Sequence, residues 1–79
     1  MAWVTSVEVR GGSGKIQPTQ LTAHAKVFHA ESGALILQLD SFGSNEREKP
    51  GKQSQTLQFG EQAAHQLYRI LKDTYKFQD

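Results

Sequence analysis

The sequence predicts a small α+β domain, a four-stranded antiparallel sheet followed by one C-terminal helix in the order β-β-β-β-α. Two observations carry this reading. Four stretches alternate apolar and polar residues with the period of two that a half-buried strand requires, and the last quarter of the chain switches to helical spacing. Seventy-nine residues suit a single domain, residues 1–79.

Residues 3–10, WVTSVEVR, open the pattern. Trp3, Thr5, Val7 and Val9 share one face; Val4, Ser6, Glu8 and Arg10 share the other. Trp3 is read as a core residue in preference to an exposed ring on which a base could stack. The following GGSGK has three glycines in four positions, so residues 11–19 are read as a loop. In residues 20–30, Leu21, Ala23, Ala25 and Val27 alternate with Thr22, His24, Lys26 and Phe28. Glu31-Ser32-Gly33 is a hairpin connection into ALILQLDSF, the most apolar run and the expected central strand. Residues 43–51, GSNEREKPG, are too polar to bury and end in a Pro-Gly turn signal. Alternation returns over residues 52–59, with Leu57 and Phe59 inward. From Glu61 to Tyr75, Ala64, Leu67, Tyr68, Leu71 and Tyr75 recur at i, i+3, i+4, i+7 and form the stripe expected to face the sheet.

Composition narrows the classes of function. There is no cysteine, so disulfides and thiolate metal sites are excluded. A domain this small buries a modest share of its surface, so a homodimer is the expected reinforcement. No apolar run approaches the roughly 20 residues that span a bilayer, and none resembles a signal peptide; a cytoplasmic or nucleoid-associated protein is expected, with no membrane partner.

No catalytic or metal-binding pattern is present. His24 and His29 lie five apart on one strand and point to opposite faces. GGSGK lacks the spacing of a phosphate loop and no helix follows it. The reading is therefore a non-enzymatic protein without cofactor or metal, acting through a surface. One helix covers one sheet face and leaves the other bare. On strand parity that face carries Arg10, Lys26 and Phe28, a mixture of cations and an aromatic that suits single-stranded nucleic acid, DNA or RNA. Phe28 serves equally well at a subunit contact. Arg47, Lys49 and Lys52 add a second basic group, open to a solvated reading because Glu46 and Glu48 offset it. Net charge is only +1, which keeps a protein–protein interaction module without nucleic-acid binding as the alternative.

The stretch from Gly33 to Leu71 resembles the core of the transcriptional coactivator positive-cofactor-four family, whose single-stranded DNA-binding fold is shared with the Whirly proteins. The resemblance is carried by an aliphatic strand ending in Phe42, a charged loop, Lys49-Pro50-Gly51-Lys52, a strand ending Thr56-Leu57, and an acidic helix start at Glu61-Gln62. It implies a homodimer that binds single-stranded DNA in transcription, replication or repair, with Lys49 and Lys52 on phosphates and Phe42 as the strand-end aromatic. The chain departs from that pattern at Leu39-Asp40-Ser41 and at Gln53, where the family carries basic residues.

Overall fold

A computed structural model describes residues 1–42 and 53–78. The order is β1 (Ala2–Val4), β2 (His24–His29), β3 (Leu35–Phe42), β4 (Gln53–Phe59) and α1 (Glu61–Tyr75). The strands form one sheet in the order β1-β4-β3-β2, so the apolar β3 is interior, as its composition predicts. This is the α+β arrangement of four strands and a C-terminal helix. The expected loop over residues 43–51 lies outside the described residues.

The β2–β3 hairpin turns on Glu31-Ser32-Gly33. The Gly33 N–H donates to the Ala30 carbonyl, and the Ala30 N–H donates to that of Ala34, both at 2.8 Å. Gly33 sits at φ 90, a conformation that a side chain disfavours, and this three-residue loop with a left-handed glycine closes hairpins readily. β3 and β4 are also antiparallel, with a register shift between Ser41 and Phe42.

Four expectations need correction. The sheet is not wholly antiparallel: β1 runs parallel to β4, pairing Ala2 with Leu57, Trp3 with Gln58 and Val4 with Phe59. No tight turn joins β1 to its neighbour, so hairpin geometry does not set its direction. β1 is also short, since β4 ends at Phe59 and offers no partner past Val4. Residues 5–23 have no regular structure and form an arm. The Val7 N–H donates instead to Oε1 of Gln66 on the helix, at 2.7 Å. Trp3 is not core; it is 53 % exposed.

The fourth correction concerns the helix. Ala63 is its buried residue, and Ala64, Gln66, Leu67 and Ile70 are half-buried, whereas Tyr68, Leu71 and Tyr75 of the anticipated stripe are exposed. The packed side, on which Gln66 is tied to the arm, lies about a quarter-turn from the most apolar line. The helix packs against β3 and β4. Its N-cap is Gly60, without a side-chain cap, and it ends on Lys76 in the left-handed region at φ 59, ψ 37. Among the described residues, the buried apolar side chains are Ile36, Phe59 and Ala63.

Candidate nucleic-acid interface

Register decides which side chains share a face. Directly paired residues point to the same side of a sheet, and side alternates along each strand. One row runs across all four strands: Trp3, Gln58, Gln38 and Lys26. A neighbouring row is His24, Asp40 and Thr56, and Phe28 pairs with Ile36 beyond Lys26. The opposite face carries Val4, Phe59, Leu37 and Val27 in one row, with Leu57, Leu39 and Ala25 in the next. Val27, Leu35, Leu37 and Phe59 of this second face, together with Ile36, line a cleft with Gly60, Glu61 and Ala64, which brings the start of the helix to this side of the sheet.

The first face is therefore the one turned from the helix, but it is not bare. Ile36, Gln38, Asp40 and Thr56 are buried at its centre. A directional ladder ties the polar members together. The Gln58 side-chain amide donates to Oε1 of Gln38 at 2.9 Å. The Gln38 amide donates in turn to both carboxylate oxygens of Asp40, at 3.0 and 3.2 Å. The Thr56 hydroxyl donates to Oδ1 of Asp40 at 2.8 Å. Satisfied groups of this kind can be buried without the desolvation penalty an orphan would carry. Among the described residues, no buried side-chain nitrogen or oxygen lacks a partner.

Exposure rises at the sheet edge. All six residues of β2 are exposed, because the strand has a neighbour on one side only. His24, Lys26 and Phe28 thus stand along the rim of the face. Phe42, at the end of β3, is half-buried with its ring centroid 4.5 Å from that of His24, tilted by 57°. Aromatic rings, an imidazole, an ammonium and the Gln amides lie within one surface. They can offer stacking planes and donors to a flexible polymer.

Of the residues singled out from sequence, Lys26, Phe28 and Phe42 are brought to this surface. Arg10 is not: it belongs to the arm, where strand parity does not apply, and its guanidinium lies 2.6 Å from the Glu8 carboxylate in an exposed pair. Glu8 and Thr22 likewise lie outside the strands. Arg47, Lys49 and Lys52 fall outside the described residues. The Gln58–Gln38–Asp40–Thr56 ladder was not foreseen, although polar residues at i and i+2 on two adjacent strands were a readable signal. His29 faces away from His24, and His65 stacks on Tyr68 with centroids 5.9 Å apart. Among the described residues, no cluster of histidines and carboxylates could hold a metal, and no helix is long and apolar enough to cross a membrane.

No family model, curated protein or solved structure matches the chain. The resemblance to the positive-cofactor-four family rests on the residues quoted for it.

Proposed function

We propose that the protein is a non-catalytic, single-stranded nucleic-acid-binding domain, with DNA the favoured ligand, that engages its target along the β2 rim. One observation carries the reading: Lys26 and Phe28 stand exposed on the same side of an edge strand, beside the His24–Phe42 ring pair and the glutamine ladder. An exposed ring gives a base a stacking surface worth about 1–3 kcal/mol, and a neighbouring cation tracks the backbone. Buried hydrogen bonds behind the rim hold its side chains on a fixed base, so little ordering remains to be done on binding. A role in transcription, replication or repair follows from the resemblance alone.

The test is a fluorescence-anisotropy titration of labelled oligothymidylate with the whole chain at two salt concentrations. Binding with a dissociation constant of about 10⁻⁴–10⁻⁶ M, weakening as salt rises, supports the proposal. No association at roughly 100 μM protein in low salt would remove it.

A second reading rests on the same strand. β2 is an exposed edge whose outer backbone groups could accept an extended peptide as an added strand. The near-neutral net charge suits that reading. Salt-insensitive capture of a protein partner after nuclease treatment, with no oligonucleotide signal, would select it.

A further inference from the structure

The row Trp3, Gln58, Gln38 and Lys26 crosses all four strands, and its two ends differ from its middle. Trp3 on β1 and Lys26 on β2 are exposed, Gln58 is half-buried and Gln38 is buried. The row is a shallow saddle, sunk in the centre and open at both sheet edges. At the β2 edge the Phe28 ring stands on the same side as Lys26. The β1 edge has a ring of its own. Trp3 stays 53 % exposed although its six-membered ring rests against Gly60, where a Cβ would lie 3.1 Å from Cη2. Beside that ring is an open cleft of about 380 Å³, lined by Val4, Thr5, Gly60 and the first residues of α1. Its volume falls within the roughly 300–1,000 Å³ of small-molecule sites.

We propose, resting on the nucleic-acid reading above, that the Trp3 cleft is a second base-stacking site. A single strand held at the β2 rim crosses the saddle at right angles to the β-strands and places a base on the indole.

Charge decides which part of a nucleotide enters the cleft. Glu61 also lines it, and a carboxylate repels a phosphate but accepts from the N–H groups on a base edge. The backbone is left to Lys26 at the other end of the row. Between the two ends the hydrogen-bond ladder sets what the strand meets. Asp40 only accepts, so Gln38 donates to it and must accept from Gln58. Gln58 spends an amide N–H on that bond and keeps its carbonyl oxygen for a donor on a base above it. Distance fits a short strand. Neighbouring β-strands lie about 4.8 Å apart, so three steps from Lys26 to Trp3 cover roughly 14 Å. At about 3.4 Å per stacked nucleotide that is roughly four nucleotides, the lower end of the roughly 4–16 that one OB-fold occupies.

The test uses the whole chain, its one tryptophan and an oligothymidylate of about twelve nucleotides, inside that range of site sizes. As anisotropy reports binding, the emission of Trp3 is expected to be quenched in parallel. Trp3→Ala is expected to weaken binding about 5- to 150-fold, the loss of one stacked base, and Trp3→Phe, which keeps a ring, to weaken it less. The unaltered chain gives a check that does not depend on a variant folding. With 5-iododeoxyuridine in the oligonucleotide, ultraviolet light should cross-link it to the tryptic peptide Met1–Arg10. Binding that leaves the emission unchanged and cross-links only β2 peptides overturns the proposal while the rim reading stands. So does a Trp3→Ala chain with the parent's circular dichroism that binds as the parent does. No binding by the parent chain removes both readings.

Discussion

The hydroxyl of Thr56 on β4 reaches across to Oδ1 of Asp40 on β3 at 2.8 Å, in the buried centre of the face turned from the helix. Thr56→Val keeps the shape and removes that donor. A buried carboxylate deprived of one partner costs about 1–3 kcal/mol. Urea unfolding is expected to show the midpoint falling accordingly, while Thr56→Ser, which keeps the hydroxyl, loses less. Equal losses for Val and Ser would assign the effect to packing instead.

A second pair fixes the start of the helix. A Cβ placed on Gly60 would lie 3.1 Å from Cη2 of Trp3 and 3.3 Å from Cζ2. Gly60 is also the N-cap, a position where glycine is favoured well above alanine. Gly60→Ala is expected to cost about 1 kcal/mol, the usual penalty of a poor cap. It should also shift the emission of the chain's one tryptophan. An unchanged spectrum would mean that the ring does not rest on this glycine.

Lys76 ends the helix at φ 59, where a side chain crowds the following carbonyl and glycine does not. Lys76→Gly is expected to raise stability by about 0.5–1 kcal/mol, read as a higher midpoint in thermal circular dichroism. A lower midpoint would show that the lysine charge at the helix end outweighs the backbone strain.

At the β2 rim, Phe28→Ala is expected to weaken oligonucleotide binding by about 5- to 150-fold if a base stacks there, with little dependence on salt. Lys26→Ala should instead lower the salt slope by about 0.7, one phosphate's worth for a single strand. Variants that bind as the parent chain does would move the interface elsewhere on the surface.

The parts of this fold that sequence made legible are those whose pattern is local. Gly33 between two alternating runs marks a hairpin, and the change of period at Glu61 marks a helix. β1 was misjudged because its direction and length depend on residues 57–59, far along the chain, and alternation within WVTSVEVR contains no information about that partner. The helix stripe was misjudged for a related reason. Periodicity finds the most apolar line, whereas the packed line runs through Ala63, Gln66, Leu67 and Ile70, where Gln66 accepts from the arm. At the candidate interface, parity placed Lys26 and Phe28 together but could not show that Gln38, Asp40, Thr56 and Gln58 would close the centre of that face by bonding to one another.

The parallel pairing of β1 also orders events during synthesis. Trp3 leaves the ribosome long before Gln58 exists, so the first strand has no partner until β4 has been made. A chain halted before residue 57 has nothing onto which its own amino-terminal residues can zip, and its lone β2–β3 hairpin is marginal in water. Closure of the sheet is thus tied to completion of nearly the whole chain.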